Sequence, residues 1–198
     1  MKRNKDLARA ADAEVLVVDN GKLPSVEFAW DYLNNQLARQ IWNSAAQLAK
    51  TPYLKIAFAE LISLEGQPDH KLLLDMLEQL QKHGIVIIEG VPTEATGDQT
   101  CMLRKVMSHI GTLRNTFYGE TWDVKAVEQS KNVAYTNINL GLHMDLLSFE
   151  NPPRFQALHC LRNRVEGGAS YFVDSFAVAQ NFAQRYRDQA KLLAKSKI

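Results

Sequence analysis

Apolar and polar positions follow several rhythms along this chain, and each predicts a different element. Val15-Leu16-Val17-Val18, the turn signal Asp19-Asn20-Gly21 and Val26-Glu27-Phe28 predict a small hairpin over residues 15–28. Trp30, Leu33, Leu37, Ile41 and Trp42 recur at helical spacing and predict an amphipathic helix over residues 30–49, with Pro52 closing the region. Phe58-Ala59-Glu60-Leu61-Ile62 fits either a helix or a strand. Asp69 suits the cap of a helix whose apolar face is Leu72, Leu73, Met76, Leu77 and Leu80, and Gly84 suits its end. Ile85-Val86-Ile87-Ile88 then predicts a short buried strand, stopped by Gly90 and Pro92. Met102, Val106, Met107 and Ile110 predict a second helix over residues 98–110, with Gly111 as its stop.

From residue 132 the pattern turns to strands. Phe155-Gln156-Ala157-Leu158-His159-Cys160-Leu161 alternates loosely. Glu166-Gly167-Gly168 reads as a turn and Ser170-Tyr171-Phe172-Val173 as its return strand. Phe176, Val178, Ala179, Phe182 and Tyr186 predict a C-terminal helix. The fold class expected is α+β. Residues 1–68 form an N-terminal extension with the hairpin and helix, and residues 69–198 form the main domain.

Composition narrows the partners. The chain has 198 residues, 46% of them hydrophobic, which is ordinary for a globular domain with its own core. A net charge of +1 gives no field to attract nucleic acid or an anionic membrane, and no apolar run approaches the roughly 20 residues of a membrane span. No nucleic-acid partner and no membrane are therefore expected. The basic start Met1-Lys2-Arg3-Asn4-Lys5 is followed by Asp6, Asp12 and Glu14. Transit peptides avoid acids, so a cytoplasmic location is expected over a mitochondrial one. Cys101 and Cys160 lie far apart without a CxxC pair and are expected as buried free thiols.

The chemistry concentrates in Gly141-Leu142-His143-Met144-Asp145. On a strand, residues two apart point to the same side, which would set one imidazole beside one carboxylate. Those are two of the three ligands in the facial triad that holds non-haem Fe(II). His159 is the one histidine after His143, and its expected role is that of a satisfied core or strand histidine. An HxD pair alone occurs in many chains for no chemical reason.

Its neighbourhood is more specific. The ordered string Asn132-Val133-Ala134-Tyr135-Thr136, His143-Met144-Asp145, Asn151-Pro152-Pro153, Gln156, Leu158-His159-Cys160-Leu161, Gly167-Gly168 and Val173-Asp174 resembles the 2-oxoglutarate-dependent oxygenases of the TauD/TfdA superfamily. Upstream, Thr116-Phe117-Tyr118-Gly119-Glu120-Thr121-Trp122 and the stretch from Gly84 through Pro92 belong to the same likeness, which covers about residues 70–185. The nearest branches are the γ-butyrobetaine and trimethyllysine dioxygenases, enzymes of a carnitine-biosynthesis type.

The resemblance implies roles residue by residue. His143 and Asp145 match the first two iron ligands, and Asn132 matches the asparagine that helps hold 2-oxoglutarate. Tyr118, Trp122 and Tyr135 resemble the aromatic residues that enclose a trimethylammonium group. That last role suits the chemistry, because a quaternary ammonium has no hydrogen to donate and is recognised by the negative faces of aromatic rings. The spacing of Tyr118 and Trp122 fits equally a core pair at i and i+4. The cofactors implied are Fe(II) and 2-oxoglutarate.

The fold implied is the N-terminal part of a double-stranded β-helix, or jelly-roll, barrel with flanking helices. On this likeness the chain is expected to be truncated. It ends before the distal His and the Arg that would complete the site, and the family's N-terminal zinc segment is not matched. A part-built barrel would expose strand edges that favour oligomerisation. The function implied is hydroxylation of a small, trimethylammonium-like substrate. The alternative is a non-catalytic homologue that acts as a binding or interaction module.

Overall fold

The structure is a computed structural model that describes residues 39–164 and 166–196. The hairpin expected over residues 15–28 and the Trp30–Leu37 part of the first helix lie outside these residues. The elements in chain order are α1 (Ala45–Leu48), β1 (Lys55–Ala57), α2 (Phe58–Leu61), α3 (His70–His83), β2 (Ile87–Glu89) and α4 (Met102–Ser108). A 3-10 turn at Val133–Tyr135 follows, then α5 (Ser175–Arg185) and α6 (Arg187–Lys195). The chain divides into two compact units. Among the described residues, one comprises residues 39–90 and 174–196, and the other lies within Val91–Val173.

In the first unit, α3 forms where the pattern predicts it. The Asp69 carboxylate accepts from the Leu72 N–H at 2.7 Å, and Lys82 and His83 lie in the last turn, where cations complement the helix dipole. Gly84 ends the helix at φ 80°. A side chain there would also collide with the Arg39 guanidinium, whose nitrogens lie 2.7 and 2.9 Å from where a Cβ would stand. The apolar face of α3 buries Met76 completely, and Ile56, Leu61 and Ile62 join the same unit's core. Gln79 is also buried, and its amide donates to the Ile85 carbonyl at 3.2 Å.

β1 and β2 pair in parallel, with Lys55 opposite Ile87 and Ala57 opposite Glu89. The connection between them runs through α3, as a parallel pair requires. The predicted strand over residues 85–88 is therefore displaced to residues 87–89. The ambiguous segment at Phe58 is a short helix. The helix expected over residues 30–49 is, in its described part, only Ala45–Leu48. Residues 41 and 42 are not helical, because the Trp42 N–H is taken by a side chain distant in sequence, Asp174. The helix then starts afresh at Ser44, whose hydroxyl caps Gln47.

Asp174 is the hub of this unit. Its side chain is fully buried and faces the Arg39 guanidinium at 3.6 Å. One oxygen accepts the Trp42 N–H at 3.0 Å, and the other caps α5 through the Phe176 and Ala177 N–H groups. Arg39 also lies over the Phe176 ring, 4.5 Å from its centroid. The Trp42 indole N–H donates to the His83 carbonyl at 3.0 Å. Burial, followed by Lys82 and Arg39, holds the His83 imidazole below its ordinary pKa. The expected C-terminal helix is present, broken into α5 and α6 at Tyr186.

The second unit holds α4 and a long irregular segment. The strands expected over residues 155–161 and 170–173 are not formed, and the described residues carry no jelly-roll ladder. The structure instead combines a two-stranded parallel sheet with helices. The physical reason is partnership. Leu158, Tyr171 and Phe172 are 74%, 79% and 60% exposed, so strand-prone residues are present with no neighbouring strand to complete a sheet. Cys101 is buried as expected, whereas Cys160 is exposed. No helix among the described residues is long and apolar enough to cross a membrane.

Candidate metal centre

His143 and Asp145 come together, though not by the route the sequence suggested. The segment is irregular rather than a strand. The His143 Nδ1 lies 2.7 Å from the Gly141 carbonyl oxygen. A carbonyl only accepts, so Nδ1 carries a proton, and in the neutral ring Nε2 is the atom with the lone pair. Nε2 and the Asp145 Oδ1 are separated by 3.6 Å. This is too long for a hydrogen bond, so neither atom is spent on the other.

The Asp145 Oδ2 accepts from the Gln156 amide at 2.6 Å. Both site side chains are about half exposed, at 53% and 50%. Leu146, next in the chain, has φ 57°, a left-handed backbone uncommon for leucine, and it bends the chain away immediately after the carboxylate.

These donors fit one edge of a divalent cation. A neutral imidazole and a carboxylate are the ligand types non-haem iron takes, and the histidine's other nitrogen is oriented by a backbone carbonyl as ligating histidines require. Two ligand bonds of about 2.1 Å to one ion set donor atoms about 3 to 3.6 Å apart. Among the described residues no third His, Cys, Asp or Glu joins the pair.

His159 accordingly does not join it. It is not a hydrogen-bonded strand histidine either, because both of its ring nitrogens are buried without a partner. Unsatisfied buried nitrogens cost about 1–3 kcal/mol. His159→Leu is therefore expected to raise stability by about 1 kcal/mol, measured by urea unfolding.

The aromatic residues divide. Thr116 and Gly119 exchange backbone hydrogen bonds of 3.1 and 2.9 Å, making a tight turn with Phe117 and Tyr118 at its tip. Gly119 adopts φ 97° there. The Tyr118 ring stacks on Trp122 with centroids 5.1 Å apart and planes 25° apart, and Phe117 packs on Tyr118 at 4.2 Å. Tyr118 and Trp122 thus meet across a turn and not as a helical pair, and each is between a third and two-fifths exposed. Tyr135 ends the 3-10 turn, and no stacking with Tyr118 or Trp122 is seen among the described residues. Asn132 starts that turn, where its Oδ1 accepts the Ala134 N–H at 3.0 Å.

Arg104 of α4 anchors the aromatic turn. Its guanidinium binds Glu120 at 2.5 Å and Asp98 at 3.0 Å, and the Thr121 hydroxyl donates to the same Asp98 oxygen. The hydroxyl first, and Arg104 next, hold the Asp98 carboxyl below the usual carboxylate range. A hollow of about 550 Å³ beside it is lined by Arg104, Ser108, Thr112 and Glu120. It contains none of the expected site residues, and its one cation is already paired.

Sequence reasoning placed His143 and Asp145 together but did not find Gln156 as the partner of Asp145 or Arg104 as the anchor of the turn. Gln156 stood inside the family string with no role attached. Its pairing depends on a chain reversal that periodicity does not encode.

The sequence model of the family described as taurine catabolism dioxygenase TauD, TfdA family matches residues 53–198. Dioxygenase str8 of Strobilurus tenacellus is 41% identical over 175 residues, covering 82% of this chain and 39% of that protein. Human gamma-butyrobetaine dioxygenase is 36% identical over 118 residues, 60% of this chain and 29% of that enzyme. Mouse mitochondrial trimethyllysine dioxygenase is 31% identical over 159 residues, 79% and 35% respectively. The chain spans well under half the length of each of these relatives. No solved structure matches.

Proposed function

The chain belongs to the TauD/TfdA family of dioxygenases, for which a jelly-roll fold is implied, and on that premise we propose that it carries the His143/Asp145 part of an Fe(II)- and 2-oxoglutarate-dependent hydroxylation site. The single observation behind the reading is the hydrogen bond from His143 Nδ1 to the Gly141 carbonyl, which in the neutral ring leaves Nε2 with its lone pair, 3.6 Å from an unspent oxygen of Asp145. Bound Fe(II) would supply the O₂ activation needed to hydroxylate an unactivated C–H bond while 2-oxoglutarate is consumed. The chain's own residues bind and orient.

Asn132 has its Oδ1 committed to the turn and offers its amide nitrogen to a 2-oxoglutarate oxygen. The substrate class we propose is a small trimethylammonium compound of the γ-butyrobetaine type. Its cation would lie against the exposed part of the Tyr118–Trp122 stack, with Tyr135 as a further wall. A second His and an Arg beyond these ligands complete the family's site. The exposed strand-prone residues Leu158, Tyr171 and Phe172 are the surface we propose for association.

Anaerobic titration of the folded chain with Fe(II) and 2-oxoglutarate tests this reading. A saturable weak visible charge-transfer band is expected. No band from folded protein overturns it. Binding of γ-butyrobetaine in that bandless state would instead favour a non-catalytic binding module built on the exposed Tyr118–Trp122 stack.

A further inference from the structure

Gln156 lies eleven residues beyond Asp145, and its side chain is spent on that carboxylate. The Nε2···Oδ2 distance is 2.6 Å, within hydrogen-bonding reach. The bond divides the labour of the two oxygens. Oδ2 is occupied by the amide, and Oδ1 lies 3.6 Å from the His143 Nε2. A free carboxylate on a half-exposed side chain turns about its χ2 torsion at little cost, presenting either oxygen or neither. One fixed donor removes that freedom. The amide also contributes no negative charge, so it orients Asp145 without repelling it.

His143 has a matching constraint on the other side, since the Gly141 carbonyl fixes its ring. The two ligands are therefore each held by one group that is not itself a ligand. Leu146 in its left-handed conformation adds a backbone constraint at the next residue. Earlier in the same segment, the Asn151 carbonyl accepts from the Arg114 guanidinium. That guanidinium also lies 5.3 Å from the centroid of the Phe149 ring.

We propose that Gln156 is a positioning residue for metal binding: it locks Asp145 so that Oδ1 alone is offered toward His143 Nε2. The inference rests on the metal reading of His143 and Asp145 given above. The side chain that donates is exposed, so its removal costs the fold little. Outer-shell partners of this kind typically change metal affinity 10- to 100-fold.

The test is Mn(II) binding to the full chain, followed by loss of the free-ion EPR signal, with no turnover required. Gln156→Met keeps the length and removes the donor. It is expected to weaken Mn(II) about tenfold and to broaden the bound-ion spectrum, while thermal unfolding stays within about 1 °C of the parent chain. Gln156→Asn keeps an amide on a shorter stem and is expected to fall between the two. Asp145→Ala reports on the underlying site. Saturable binding that Asp145→Ala abolishes but Gln156→Met leaves unchanged overturns the role of Gln156 alone. Binding that is absent from the parent chain, or that Asp145→Ala does not affect, overturns the metal reading and this inference with it. A Gln156→Met variant that loses affinity only in proportion to a large fall in melting temperature also overturns the positioning role, because its effect would then be structural.

Discussion

Asp174→Ala is expected to destabilise the first unit by about 3 kcal/mol, a fall in melting temperature of about 10 °C. Three losses combine. The N–H groups of Phe176 and Ala177 lose their cap, a contribution of about 1 kcal/mol. The Trp42 N–H loses its acceptor, and the Arg39 guanidinium loses its counter-charge. Arg39 keeps 31% of its side-chain surface in water, so the orphaned charge costs less than a fully buried one. Asp174→Asn separates these terms. It retains an oxygen for the cap and removes the charge, so it is expected to recover about half of the loss. Chemical denaturation monitored by far-UV circular dichroism checks both. A change of under about 0.5 kcal/mol in Asp174→Ala would show that the buried carboxylate is not the hub its contacts describe.

His143→Ala and Asp145→Ala are each expected to abolish the Fe(II)/2-oxoglutarate band, with metal affinity falling at least about 100-fold. Removing a first ligand exceeds the 10- to 100-fold cost of removing an outer-shell partner. With one ligand left, the chelate that two donors form is gone. The fold should be little affected, because both side chains are about half exposed and the hydrogen bonds they make with Gly141 and Gln156 lie at the surface. Melting temperatures within about 1 °C of the parent are expected. His159→Leu serves as the control. Its ring nitrogens are buried and unpartnered and do not join the pair, so the band should persist in that variant. A band that survives loss of either His143 or Asp145 would place the metal elsewhere.

How much was legible depends on how local the cause is. α3 was readable to within a residue, because Asp69, the apolar face and Gly84 are all short-range signals. Gly167 and Gly168 both adopt positive φ at the predicted turn, for the same reason. The string around His143 carried the family, since its order and residue types need no contacts to be recognised. The strands over residues 155–161 and 170–173 were misread. Their alternation records a preference for a pleated surface, and a preference forms no ladder without a partner. The helix over residues 30–49 was overextended in its described part, where the Trp42 N–H answers to Asp174, 132 residues away.

The sequence by itself determined the family, the Asp69 and Gly84 ends of α3 and the glycine turn at Gly167-Gly168. These follow from residue type and spacing along the chain. Tertiary structure alone decided which nitrogen of His143 is free, which oxygen of Asp145 is spent on Gln156, and that Tyr118 meets Trp122 across a turn. It also decided that Asp174 gathers Arg39, Trp42 and the start of α5. Hydrogen bonds and ring contacts form between groups that chain reversals bring within a few ångströms, and one-dimensional periodicity carries no record of those reversals.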